Sequence, residues 1–356
     1  VTIQPGETMR ISMLLNYAGG FKEAVTEVQA LEKAGLDVVW VPEAYSFDAP
    51  SAMGYLAANT ERVTIASGIL PVYSRTPTLL AMTAAGIDYL SDGRCMLGLG
   101  ASGPQVIEGF HGIAFTAPVA RLREIIDICR AVWRRERVQH MGKYYQIPLP
   151  QNQGTGLGKP LKLINHPVRN DIPIAIASLG QSSVAMTAEL ADAWLPAFYT
   201  AEAAQDVWGS ALSKGTTLRD PERAPLEVFA GGAVAVGTGL EDLRNLSRPQ
   251  MALYVGGMGA RSKNFYNDIF SRSGYAAEAK IIQDLYLSGD KKAAEAAIPD
   301  EYLARNSLIG EPGFVRDRLQ IMREAGVNAL NVGFLGQNID ERVQNCEALR
   351  NIVDSL

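Results

Sequence analysis

Two periods of apolar residues alternate along most of this chain. Short, solid apolar runs at 10–15, 37–41, 63–70 and 94–99 read as buried strands, and each is followed by a stretch whose apolar residues recur every three or four positions. In 21–34 that stripe is Ala24, Val25, Val28, Leu31 and Ala34, and it stops at Gly35. The same spacing predicts helices from about Pro50 to Asn59, Pro77 to Leu90 and Ala117 to Arg135. Pro77 falls in a first turn, where its missing N–H costs nothing. Strand–helix alternation of this kind predicts a parallel sheet covered by helices.

Past Glu136 the pattern breaks. Residues 137–167, with Tyr144, Tyr145, Pro148, Pro150 and the run Gly-Leu-Gly-Lys-Pro-Leu, read as an insertion arching over one end of the sheet, a lid or a disordered segment. Alternation resumes with strands at 172–177, 193–196 and 226–236, helices to Ala191, from Ala201 to Leu212 and from Leu240, and a helical insertion at about 257–305. A helix from Pro312 to Ala325, a strand from Ala329 to Phe334 and a helix from Ile339 to Leu356 close the chain. Eight strands predict a (β/α)8 TIM barrel in one domain spanning residues 1–356, with insertions after strands four and seven. An open doubly wound sheet is the other arrangement this pattern allows.

Composition narrows the function. At 356 residues and 47% hydrophobic content there is material for a large core, and a net charge of −5 without a basic cluster argues against nucleic acid. Cys95, Cys129 and Cys346 are odd in number and far apart, so neither a disulfide framework nor a zinc site is expected, and a reduced cytoplasm fits. Residues 1–7 show no basic, apolar leader and no run of about 18 apolar residues occurs, so a soluble protein off the membrane is expected.

In a barrel the chemistry sits at the carboxyl ends of the strands. Those ends are Asn16, Glu43, Ser67 to Pro71, Gly100 to Gly103, Ser178 to Ser182, Pro196 to Tyr199, Val236 to Thr238 and Phe334, a set short of acids and bases. Without a strand-end lysine or paired carboxylates, a phosphosugar isomerase or lyase is disfavoured. Gly98, Gly100 and Gly103 spell GxGxxG, but three strand–helix units precede it, Pro104 follows it, and Glu124, at the spacing a dinucleotide fold wants, lies in a helical pattern. Gly100, Ala101, Ser102 and Gly103 are therefore expected to lie over a flat, phosphorylated cofactor, although glycine after a buried strand is also how a tight turn is made. Ser178, Leu179, Gly180, Gln181 and Ser182 stand where a helix begins and can receive an anion, or act as an ordinary serine cap. His111 is the one histidine near the mouth, in contact with substrate or bonded to backbone. Tyr45, Phe47, Tyr73, Phe110 and Tyr199 supply aromatic walls for a small-molecule substrate. A pocket without reactive side chains points to a cofactor that carries the reaction.

Four segments, Gly98-Leu-Gly-Ala-Ser-Gly-Pro-Gln-Val-Ile-Glu-Gly-Phe-His-Gly112, Gly156-Leu-Gly-Lys-Pro-Leu161, Ile174-Ala-Ile-Ala-Ser-Leu-Gly180 and Ala191-Asp-Ala-Trp-Leu-Pro196, resemble the luciferase-like monooxygenase superfamily, and within it the actinobacterial F420-dependent oxidoreductases. The resemblance runs from about Arg10 to the C-terminus. It implies a (β/α)8 barrel with coenzyme F420, or in sister groups FMN, in its mouth, and a homodimer. It further implies a non-proline cis peptide at Ser67–Gly68 or Gly68–Ile69, with Ser67, Gly68 and Ile69 behind the ring, a phosphate cradle at Leu179 to Ser182, and a strand-two acid at Glu43. Two positions depart from the family's sugar-phosphate dehydrogenases: Ala44 replaces the histidine after that acid, and Gly103 and Pro104 stand where a loop glutamate is found. The expectation is hydride transfer between C5 of the deazaflavin and a small organic substrate, with Glu43 or His111 handling the proton. An FMN-dependent monooxygenase and a non-catalytic cofactor-binding protein are the alternatives.

Overall fold

The computed structural model describes residues 8–16, 20–259, 261 and 264–356; residues 1–7, on which the expectation about a leader rested, lie outside them. Eight parallel strands, β1 (Arg10–Leu14), β2 (Val38–Val41), β3 (Thr64–Ser67), β4 (Cys95–Gly100), β5 (Ile174–Ala177), β6 (Ala193–Leu195), β7 (Glu227–Ala230) and β8 (Ala329–Phe334), pair in chain order. β8 then pairs with β1, Arg10 opposite Ala329, so these eight strands close into a (β/α)8 barrel.

Alternation along each strand sorts two cores. Ile11, Val39, Ile65, Leu97, Ile174, Val228 and Leu330 point outward against the helices. Val38, Trp40, Ala66, Met96, Ala175, Ala193, Phe229 and Ala329 fill the barrel interior. Trp40 meets Phe229 edge-on at 5.1 Å between centroids, a geometry worth about 1 kcal/mol beyond its buried area. The indole N–H of Trp40 donates to Ser12 Oγ at 2.8 Å, and that hydroxyl donates to the Leu330 carbonyl at 2.7 Å. At the amino-terminal end Arg10 bridges Glu227 at 3.1 Å and donates to Thr64 Oγ1 at 2.9 Å, so the inward polar groups there are mutually satisfied.

Several expectations are corrected. The run 226–236 is two strands, because at Gly231 and Gly232 the chain passes so close to the Asn331 and Asn306 carbonyls that a Cβ would overlap them. The second piece, Ala233–Val236, pairs with the end of β8 and with Ser307–Gly310, a strand too short to register as a pattern. After Val236 the chain makes a 3-10 turn at Glu241–Ser247 instead of a helix from Leu240, and helices run from Arg248 to Arg305. Ala252, Val255, Phe270, Ile282, Ala294 and Tyr302 form a separate small core among them. A six-residue helix, Pro104–Gly109, also precedes the expected one, which spans Pro118–Trp133.

The 137–167 excursion carries a small hairpin, His140–Met141 with Gln146–Ile147, stapled to helix Pro118–Trp133. Glu124 on that helix accepts the backbone N–H groups of Lys143, Tyr144 and Tyr145 and lies 3.3 Å from His140 Nε2. Burial alone would raise its pKa; those backbone donors and His140 outweigh that and hold it below the ordinary carboxylate value. Among the described residues no helix is long and apolar enough to cross a membrane.

Candidate active site at the carboxyl end of the barrel

The lower interior is packed solid and the upper interior is not. Trp40, Ala66, Ala175, Phe229 and Ala329 have no exposure, whereas Leu14, two positions above Ser12 on the same face of β1, is 48% exposed. Continuing the inward face of each strand upward reaches Gly68, Gly98, Ala177, Leu195, Gly231, Asn331 and Gly333. Exposure at Leu14 and Gly333 opens a shallow bowl at that level over an aromatic floor, whereas a Cβ on Gly68, Gly98 or Gly231 would meet neighbouring chain.

The peptide between Gly68 and Ile69 is cis, at the second of the two bonds the family resemblance implied. β3 keeps its direction past this bond, Leu70 and Pro71 pairing in parallel with Leu99 and Gly100, but it carries one more residue than β4 between the paired positions, a bulge that β4 fits around. A Cβ on Gly98 would overlap the Ser67 carbonyl oxygen, and one on Gly100 would lie 2.9 Å from the Ile69 side chain. Those two glycines therefore serve close approach of strand to strand, and at Gly100 this replaces the clearance for a ring that was expected. Gly103 and Gly109 are different: a Cβ there would meet nothing within 4 Å, so the loop after β4 borders free space. Ser102 takes φ of 58° in that loop.

Ser67 is fully buried, and its hydroxyl donates to the Gly98 carbonyl and accepts from the Gly98 N–H, each at 2.8 Å. Its side chain is spent on the β3–β4 seam, leaving only its backbone for any ligand. The segment after β5 divides similarly. Ser178 is buried with Oγ 2.9 Å from Thr187 Oγ1, and Gln181 Nε2 donates to the Val207 carbonyl at 2.6 Å. The Leu179 carbonyl accepts the Trp208 indole N–H at 3.0 Å. What stays available is the start of helix Gln181–Leu190, capped by Gly180 with no side-chain acceptor, together with exposed Ser182. Its first N–H groups and dipole end suit an anion, so the serine-cap alternative fails and the anion-receiving one keeps its donors.

Glu43 sits at the end of β2 with 6% of its side chain exposed. Arg75 grips it at both oxygens, 2.6 and 2.8 Å, and it also accepts the Ala49 N–H at 2.8 Å. In this forked geometry both carboxylate oxygens are spent on the guanidinium and the Ala49 N–H, so the side chain is anchored in the scaffold. Arg75 was not among the sequence-derived residues; its signal was a lone arginine in the loop that ends β3, ahead of a proline-started helix. Next to this pair a cleft of about 320 Å³ is lined by Leu15, Val41, Pro42, Phe47, Ala52 and Tyr55, among others.

The loops after β2 and β4 meet at the rim. Tyr45 and Phe110 approach to 6.2 Å, and Phe110 meets the His111 ring edge-on at 5.4 Å. Tyr45, Phe47 and Phe110 are 69%, 92% and 65% exposed, as residues that wait for a ligand or a partner would be. His111 Nε2 is buried and has no hydrogen-bond partner among the described residues.

Two expected substrate contacts are structural instead. Tyr73 is buried, its hydroxyl donates to the Thr116 carbonyl at 2.9 Å, and Arg121 covers its ring at 5.6 Å to the centroid. Tyr199 stacks on Trp208 at 5.6 Å and 5°, and its hydroxyl donates to the Ala325 carbonyl at 2.9 Å. Desolvation raises both phenol pKa values, so neither delivers protons near neutrality. Periodicity marks both as aromatic residues near strand ends but cannot say which way such a ring turns.

With this geometry in hand, the comparisons with known proteins fall on one family. A family model for luciferase-like monooxygenases matches residues 8–329. A Mycobacterium tuberculosis protein provisionally named a coenzyme F420-dependent oxidoreductase is 38% identical over 91% of this chain and 94% of its own length. Among solved structures, the coenzyme F420-dependent tetrahydromethanopterin reductase of Methanopyrus kandleri superposes with a TM-score of 0.78 at 17% identity, covering 97% of this chain and 98% of that one. An F420-dependent secondary alcohol dehydrogenase, solved with an F420–acetone adduct, gives 0.72 at 15% identity over 97% and 99%. The chain belongs to the luciferase-like monooxygenase family.

Proposed function

We propose that this chain is an F420-dependent oxidoreductase that moves a hydride between C5 of the deazaflavin and a small, uncharged organic substrate. The observation that carries the reading is the bowl itself. A level open at Leu14 and Gly333 lies above the Trp40–Phe229 floor, bordered by an uncapped helix start at Gly180 and by free space over Gly103 and Gly109. A planar ring with a phosphorylated tail fits that combination, with the tail toward Gly180, Gln181 and Ser182 and the ring backed by the Gly68–Ile69 bulge. The name of the mycobacterial relative points to the same cofactor. The bound deazaflavin would supply the hydride chemistry, its carbon at position 5 disfavouring the oxygen adduct that a flavin forms.

The chain's own side chains then bind, align and handle one proton. Glu43, locked to Arg75, fixes the β2 loop and with it Tyr45 and Phe47 at the rim. Proton exchange is assigned to His111, whose Nε2 is buried behind the rim without a partner among the described residues. Titration of the purified protein with F420 and with FMN tests the reading, and tight binding of FMN with none of the deazaflavin overturns it in favour of an FMN monooxygenase. Multiple turnovers with any acceptor exclude a purely cofactor-binding role. His111→Gln should keep F420 affinity and lower turnover about 10²-fold or more, the usual worth of a general acid–base group.

A further inference from the structure

The inward-facing polar side chains of the barrel are Arg10, Ser12, Thr64, Glu227 and Asn331, and four of them are accounted for. Arg10 donates to both Thr64 and Glu227, and Ser12 bonds to Trp40 and to the Leu330 carbonyl. The Asn331 side chain has no hydrogen bond among the described residues, and its Oδ1 is buried without a partner. It lies two positions above Ala329, a member of the interior core, and opposite Ser12 on β1, so its side chain faces into the barrel just beneath the bowl. The side chain is half-buried, so the remainder of the carboxamide reaches the open level.

Its position in the ring of strands matters. The Gly68–Ile69 bulge and the loop of Gly100 to Gly103 belong to β3 and β4, and β8 stands opposite β4, four strands away in either direction. If the redox ring lies on the β3–β4 side, as proposed above, Asn331 looks toward the face of that ring where a substrate must dock. Ser12 on β1 and Gly231 on β7 lie beside it and Leu14 and Gly333 lie one step above, all without charge. A buried carboxamide left unbonded in such surroundings is costly to the free protein, and the usual compensation is a bond made to a ligand.

We propose that Asn331 is the polar anchor of the substrate subsite and selects a small neutral molecule bearing a carbonyl or hydroxyl group on an otherwise apolar frame. Rotation about the last side-chain bond lets the carboxamide donate N–H to a carbonyl oxygen or accept from a hydroxyl, so both redox partners of a reduction can be held by the same residue. This inference rests on the proposed cofactor only for which side of the ring the substrate takes.

The test uses 2-cyclohexen-1-one and cyclohexene as probes, of like shape but with and without the carbonyl. Their binding to the full chain is measured by saturation-transfer NMR, with and without F420. Wild type should prefer the enone by about fivefold, the worth of one hydrogen bond, and Asn331→Leu should erase that preference. The same variant should bind F420 within about twofold of wild type and melt at or above the wild-type temperature, since an unbonded buried amide has been replaced by an apolar group of similar size. Asn331→Asp, nearer in shape, serves as the second variant should Leu disturb folding. An enone preference that survives in both variants, a melting temperature several degrees lower with the preference unchanged, or no enone preference in wild type each overturns the proposal. Absence of F420 binding by wild type counts against the cofactor reading instead, while the cofactor-free comparison still decides the anchor.

Discussion

Removing Arg75 tests whether Glu43 is a structural ion or a mobile acid. Arg75→Met keeps most of the aliphatic stem and deletes two charge-assisted hydrogen bonds of 2.6 and 2.8 Å to a carboxylate that is 6% exposed. Such bonds are worth about 1.5 to 3 kcal/mol each, but Glu43 keeps its bond to the Ala49 N–H, so the net cost should be roughly 3 kcal/mol. With an unfolding entropy of about 2.1 cal/mol/K per residue, 356 residues give roughly 0.75 kcal/mol/K, and the melting temperature should fall by about 4 °C. Glu43→Gln should cost less, because the amide keeps an acceptor for Ala49 and leaves Arg75 its contact with Ser74 Oγ. The double variant should recover part of the loss, and calorimetry or urea titration of all four proteins yields the coupling energy. A coupling below about 0.5 kcal/mol, the level of an exposed pair, refutes the argument and returns Glu43 to the list of proton donors. A loss of turnover in Glu43→Gln much larger than its loss of F420 affinity would do the same.

Glu32, buried on the first helix, accepts the backbone N–H groups of Glu61, Arg62 and Val63, so Glu32→Ala should destabilise by about 3 kcal/mol in urea titration by stranding three donors. Burial alone would raise its pKa, but those donors and Arg94 outweigh it and depress it below 4.5. A depressed carboxyl stabilises the fold above its unfolded pKa, so the advantage of wild type over Glu32→Gln should be full above pH 4.5 and shrink as pH falls through the folded value. Gly98→Ala should abolish soluble expression or cost more than about 3 kcal/mol, since the added methyl overlaps a backbone carbonyl that cannot rotate away; near-wild-type melting would refute the β3–β4 fit. Tyr73→Phe should lose about 1 kcal/mol of stability with the Thr116 bond and leave substrate KM within about twofold, whereas a large rise in KM would restore it to the substrate wall.

The sequence alone determined the barrel, because burial on both faces of a parallel strand and on one face of a helix imposes two periods that a composition with 47% hydrophobic residues spells out plainly. It also located the mouth, since strand ends follow from strand positions, and so marked Glu43, His111 and the Gly180 helix start. It misjudged where glycine breaks a run, reading 226–236 as one strand, and it missed Ser307–Gly310, whose pairing partners are far away in the chain. Tertiary structure decided which side chains remain free. Glu43 finds Arg75 across 32 residues, Tyr199 finds Ala325 across 126, and Ser67 closes on Gly98 across 31, so three apparent site groups are consumed by the scaffold. Asn331 shows the converse: one polar residue in an apolar strand, unremarkable in the sequence, that closure of the barrel leaves facing the bowl without a partner. Hydrogen bonds between distant segments carry no periodic signature, and a buried polar atom is recognised as spare only after every neighbour has been placed.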